Sequence, residues 1–156
     1  MVLSHFTENA NWTFDPERSY TNDYEGGRKP GGLWLSDETG LGWKQWCVAE
    51  HYSPCSYRHD FEVDVTGVIH LKSFSEILAF TGTYILDRES RYLQRIDWSR
   101  VKNSACGLVI TPFNYDAHWF EDASWYYGWD CASGCFWDLS VLTPVRTAEQ
   151  NPVEAA

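Results

Sequence analysis

The stretch Lys29-Pro30-Gly31-Gly32-Leu33-Trp34-Leu35-Ser36-Asp37-Glu38 decides how the rest of this chain is read. A Pro-Gly-Gly turn opens into a short apolar run and closes on a small polar residue and two carboxylates, the pattern of a strand delivered to the edge of a pocket. Its glycines allow a second backbone, or a ligand, to come close. Residues 8–31 are polar and turn-rich yet carry Trp12, Phe14, Tyr20 and Tyr24. Aromatics in a long loop need something to pack on, so a functional lid is expected there. Ahead of the loop, Val2 to Thr7 has the two-residue period of a first strand, with His5 and Thr7 on one face and Phe6 on the other.

Downstream, Leu41 to Glu50 forms a short helix on whose face Trp43, Trp46 and Cys47 meet, and Pro54 ends it. Phe61, Val63 and Val65 alternate with Asp60, Glu62 and Asp64, a strand with one wet face. Thr66-Gly67 then predicts a hairpin into Val68 to Leu71. Ser73 and Glu76 make a capping-box pair for a helix over about 74–86, and Asp97 caps a shorter one over 98–105. The charged run 87–95 reads as a solvated loop. Gly107 to Pro112 is continuously apolar, so it belongs in the middle of a sheet. An aromatic stretch over 113–130 leads to a last strand, Gly134 to Leu142. Strands interleaved irregularly with short helices make the fold α+β, a split and mostly antiparallel sheet with helices to one side. A single domain is expected over 1–142, with a flexible tail over 143–156.

With 156 residues the chain buries roughly two-thirds of its unfolded surface without metal or disulfides. Twelve basic residues against twenty-two acidic ones leave a formal charge of −10, which repels nucleic acid and anionic membranes. No run approaches a membrane span and no export signal is visible, so the expected location is the cytoplasm, with the five cysteines reduced. Aromatics make up 17% of the chain, more than a core of this size needs, so some are expected at a cleft or interface.

His5-Phe6-Thr7 and Gly32-Leu33-Trp34-Leu35-Ser36 resemble the first two motifs of the ADP-ribosyltransferase superfamily, the NAD-cleaving fold of poly(ADP-ribose) polymerases and many bacterial toxins. His5 with Thr7 matches a His-x-Thr strand. Gly32 to Ser36 matches a Gly-apolar-aromatic-apolar-small strand, with Trp34 where the family usually has Tyr. The resemblance implies that NAD, as substrate, is bound by His5, Thr7, Gly32, Leu33, Trp34 and Ser36. The family's third motif is a Glu at the entrance of a late strand, and here Ala132 to Asp138 holds no Glu. Asp130 is its best substitute, with Glu121, Asp122 and Asp138 as the other candidates. The implied activity is a mono-ADP-ribosyltransferase-like glycosyltransferase, with residues 119–129 shaping the choice of acceptor, protein in preference to nucleic acid.

Cys47, His51, Cys55 and His59 are spaced evenly by four, and Cys131 and Cys135 follow later. The residue types suit zinc, but the even ladder needs one helix that Pro54 forbids, so no metal is assigned. Cys106, entering a buried strand, reads as an inert thiol. The alternative to an enzyme is an acidic, aromatic-rich inhibitor or interaction protein that caps a basic partner.

Overall fold

The apolar period of Val2–Thr7 makes the first strand, β1, and places Leu3 inside with no exposure. The computed structural model of the chain describes residues 1–20, 29–52, 55–86 and 94–149. Six further strands follow: β2 Leu33–Ser36, β3 Tyr57–Val63, β4 Val68–Leu71, β5 Gly107–Ile110, β6 Ser133–Phe136 and β7 Leu142–Glu149. They form one curled sheet in the order β4-β5-β6-β2-β1-β3-β7, antiparallel except for β4 with β5. Helices α1 Trp43–Ala49, α2 Phe74–Tyr84, α3 Trp98–Lys102 and α4 Tyr115–His118 are joined by a 3₁₀ segment, Glu121–Gly128. The expected caps are in place: Ser73 Oγ accepts from Glu76 N–H, and Asp97 accepts from Arg100 N–H.

Side-chain alternation divides the core between the two faces of the sheet. On one, Leu108 and Ile110 of β5 meet Ile77, Phe80, Trp98, Val101, Trp125, Tyr126 and Trp129 from the helices and the 3₁₀ segment. On the other, Leu3, Leu33, Leu35, Phe61, Val63 and Val109 carry Trp12, Phe14 and Tyr20, so the described part of the aromatic loop is a roof over core residues. Trp125, Tyr126 and Trp129 are fully buried. Each large side chain of this kind contributes about 1.5–3 kcal/mol by leaving water. Trp125 Nε1–H also donates to Thr81 Oγ1 at 2.7 Å, which removes the cost of burying its polar atom.

The structure departs from the sequence reading at three elements. β3 and β4 do not form a hairpin: β3 is paired along both edges, with β1 and β7, so β4 crosses to the far side and runs parallel to β5. The expected last strand breaks at Asp138, whose carboxylate accepts from Ser140 N–H and Oγ–H in a short 3₁₀ turn. Residues 142–149, most of them expected in a loose tail, are β7, registered on β3 from Val63↔Leu142 to Tyr57↔Glu149. Tyr24, Pro54, residues 87–93 and residues 150–156 lie outside the described residues. No helix among the described residues is long and apolar enough to cross a membrane.

Candidate functional site

The sheet parts where the quoted stretch meets the first strand. β1 and β2 are registered only at Ser4↔Ser36, whereas β1 and β3 share six paired positions and β2 and β6 share four. Beyond Ser4 the ladder is replaced by a side chain: His5 Nδ1 lies 3.0 Å from the Trp34 carbonyl. A carbonyl only accepts, so Nδ1 carries the proton and Nε2 is left with its lone pair. Burial pushes the His5 pKa down, opposed by that carbonyl, so the neutral ring is the form present at neutral pH.

A cavity of about 290 Å³ opens at this parting, lined by Ser4, His5 and Phe6 of β1 and by Trp34, Leu35 and Ser36 of β2. Asp130, Cys131 and Ser133 close it from the approach to β6, and Lys29, Trp43 and Cys55 complete the wall. The approach to β6 is tied down beside the end of β2 by Asp37 N–H to the Ala132 carbonyl (2.9 Å) and Ala132 N–H to the Leu41 carbonyl (2.8 Å). These two bonds set where Asp130 can stand. Its carboxylate takes a 2.9 Å ion pair from Lys29, whose ammonium also sits 5.3 Å from the centre of the Trp34 ring. Trp129 makes an edge contact with Trp34, with ring centres 4.9 Å apart and planes at 62°.

Four of the seven residues singled out from the sequence therefore share this cavity: His5, Trp34, Ser36 and Asp130. Ser36 is also a fastener, since its Oγ accepts from Trp43 N–H (2.6 Å) and donates to Glu38 Oε1 (2.6 Å), which anchors the start of α1 and the Trp43 wall. The other three have structural duties. Thr7 Oγ1 accepts from Asn9 N–H in the turn after β1, and Leu33 is buried in the core on the far face. Gly32 lies against β6, where a Cβ would come within 2.5 Å of Cys135 Sγ and 2.7 Å of the Phe136 carbonyl oxygen. None of the three lines the cavity.

Among the other carboxylates considered for the third motif, Glu121 and Asp122 are exposed at the start of the 3₁₀ segment and Asp138 is engaged in its own turn, all away from the cavity. No residue of 119–129 lines the cavity either, and three of its aromatics are core. The motif resemblance assigns no site role to Lys29 or Trp43, although Lys29 opens the quoted stretch and is, among the described residues, the one Lys or Arg in the lining. Trp43 begins a row of stacked rings, with Trp46 at 5.0 Å and Tyr52 a further 5.4 Å on.

Four of the five cysteines, Cys47, Cys55, Cys106 and Cys131, have thiols pushed up chiefly by burial, away from the reactive thiolate. Burial pushes Cys131 up to about 12 and Cys47 up to about 11. Among the described residues no three His, Cys, Asp or Glu side chains gather to hold a metal ion, and His59 lies under Trp12 at 4.5 Å between ring centres. No protein-family model, no curated protein and no solved structure matches this chain.

Proposed function

We propose that the chain is an ADP-ribosyltransferase-like enzyme that binds NAD in this cavity, cleaves its nicotinamide–ribose bond and passes ADP-ribose to an acceptor, protein in preference to nucleic acid. One observation carries the reading. His5, Trp34 and Ser36, chosen by resemblance to two strand motifs of an NAD site, and Asp130, taken as the substitute for the Glu missing from the third, line one cavity at the junction of β1, β2 and the approach to β6. The volume is at the lower end of ligand pockets, suited to one half of a dinucleotide.

Breaking the C–N bond sends its electron pair to the pyridinium ring, which leaves as neutral nicotinamide, and develops positive charge on the ribose. The site needs an anion near that charge and a fixed geometry more than a strong base. Asp130 supplies the anion. Trp34, braced by its edge contact with Trp129, offers a ring face for the nicotinamide. His5 Nε2 is available to accept from a ribose hydroxyl, because its Nδ1–H is already committed to the Trp34 carbonyl. The acceptor's lone pair then bonds the ribose carbon, and its proton passes to solvent or to Asp130.

The test is release of nicotinamide from NAD by the purified chain. Release is expected from the parent protein, with a fall of about 100-fold in Asp130→Asn, the scale of losing one electrostatic stabiliser, and a large loss in Trp34→Ala and His5→Ala. Release unchanged by Trp34→Ala, or no release together with no thermal shift on adding NAD, overturns the reading.

A second reading rests on a different surface. Tyr115, Trp119 and Tyr127 are exposed around His118, at 61%, 71% and 48%, beside the exposed acids Asp116, Glu121 and Asp122. Aromatic faces set among carboxylates suit the cationic side chains of a basic protein. Capture of such a partner that weakens steeply with salt and is lost in Trp119→Ala supports this reading, and salt-independent capture excludes it.

A further inference from the structure

The proposed NAD site has a feature that its motif residues do not explain. Lys29 is held at 2.9 Å by Asp130 and stands 5.3 Å from the centre of the Trp34 ring. Among the described residues the one Lys or Arg of the lining therefore rests on the two groups the proposed chemistry needs, the anion and the ring face. Both partners of the ion pair keep about two-fifths of their side-chain surface exposed (42% and 37%), so the pair can be opened without unfolding anything around it. In this arrangement the ammonium pairs with the Asp130 carboxylate and stands over Trp34, where a ring stacking on that face would meet it.

We propose that Lys29 is the anion-selecting residue of the cavity: it exchanges Asp130 for a phosphate of a ring-bearing nucleotide, and only that exchange frees Trp34 for the ring and Asp130 for the ribose. This inference rests on the reading of the cavity as an NAD site and names what the ligand must carry. Nicotinamide riboside carries a pyridinium cation and no anion, so it offers nothing to replace the carboxylate as the partner of the ammonium, which stays on Asp130 and over Trp34. The pyrophosphate of a dinucleotide carries two negative charges, one on each phosphate, so the ammonium exchanges one anionic partner for another with no net loss of pairing. The lysine thereby couples recognition of the phosphate to exposure of the catalytic pair. The site stays self-capped towards free nicotinamide and towards nucleosides.

The test compares NAD with nicotinamide riboside, which has the same ring and ribose but no phosphate, together with inorganic pyrophosphate, by calorimetry on the full chain and on Lys29→Met, Lys29→Arg and Trp34→Ala. The parent protein is expected to bind NAD at least about tenfold more tightly than the riboside. The preference should fade between about 0.1 M and about 1 M salt, over which the screening length falls from about 10 Å to about 3 Å. Lys29→Met should abolish the preference while binding the riboside as well as or better than the parent, and Lys29→Arg should restore it. NAD binding that depends on Trp34 but keeps its preference in Lys29→Met overturns this inference and leaves the NAD reading standing. Pyrophosphate binding that depends on Lys29, with NAD binding indifferent to Trp34→Ala, overturns the NAD reading and keeps Lys29 as an anion site. Absence of binding by all three ligands overturns both.

Discussion

Gly32 shows how one residue can satisfy a motif for a reason other than the motif's chemistry. It stands where the resemblance puts a ligand-contacting glycine, yet its missing side chain makes room for β6: the space a Cβ would take is filled by Cys135 Sγ and the Phe136 carbonyl. Cys135 Sγ is itself lodged near the Pro30 carbonyl at 3.6 Å, so it has little freedom to retreat. Gly32→Ala is expected to force β2 and β6 apart and to cost about 1–3 kcal/mol, the range for overpacking a filled interior, read as a lower urea midpoint. A neutral substitution would show that the strands can part here without penalty. The same test separates Gly32 from Trp34 and Asp130, whose replacement should change ligand binding and leave stability almost intact at the partly exposed Asp130. The sequence marks Gly32 correctly as a place of close approach. It does not say what approaches, because a ligand and a neighbouring strand impose the same demand on a Cβ.

The elements were legible one by one where local chemistry decides them, and illegible where partners do. β1, the α2 cap at Ser73, the α3 cap at Asp97 and the buried run of β5 each follow from a short pattern. The order of the strands follows from which edges remain free. Thr66-Gly67 has the look of a hairpin turn, with Gly67 at φ 79°, but the edge of β3 that a hairpin would use is taken by β7, whose residues read as a tail because they include Pro144 and few apolar side chains. A strand in that position is not a spare tail. Ending the chain after Leu142 is expected to strip β3 of a partner along its length, and to give a less soluble protein with a lower melting temperature. A truncated protein with unchanged solubility and melting would mean that β1 alone holds β3. At the cavity the corresponding element is α1, whose first N–H is held by Ser36 Oγ. Ser36→Ala should cost about 1 kcal/mol, as loss of a helix-capping acceptor does, and should loosen Trp43. Weaker ligand binding should accompany the loss of stability, and a variant that loses stability with binding untouched would detach α1 from the site.

Across the whole molecule the feature with the clearest solution signature is a set of four histidines, His59 buried and His5, His70 and His118 half-buried. His5, His59, His70 and His118 all have pKa values pushed below the ordinary 6.5, in each case chiefly by burial. Three of the rings donate to backbone carbonyls, of Trp34, Thr111 and Tyr127, at 3.0, 3.2 and 3.2 Å. His59 Nε2 is buried with no partner. A ring whose pKa is lower folded than unfolded binds fewer protons in the native state, so stability is fully present above 6.5 and is lost as pH falls from 6.5 through the folded values. The carboxylates held below their usual range act in a separate, more acidic window. Hydrogen bonds from Thr111 and Thr39 outweigh burial at Asp37, and a pair from Ser140 lowers Asp138, so these begin to matter only below about pH 4. A comparison of urea midpoints between about pH 8 and about pH 5 therefore reads chiefly the histidines, and a clear fall towards pH 5 is expected. His59→Phe sharpens the assignment, because it keeps a ring under Trp12 while removing the unpartnered nitrogen and one titrating group. The variant should be at least as stable as the parent at the alkaline end and lose less on acidification. An unchanged slope would assign the pH dependence to His5, His70 and His118. A midpoint that does not move between the two pH values would mean that protonation of these histidines is accommodated without opening either core.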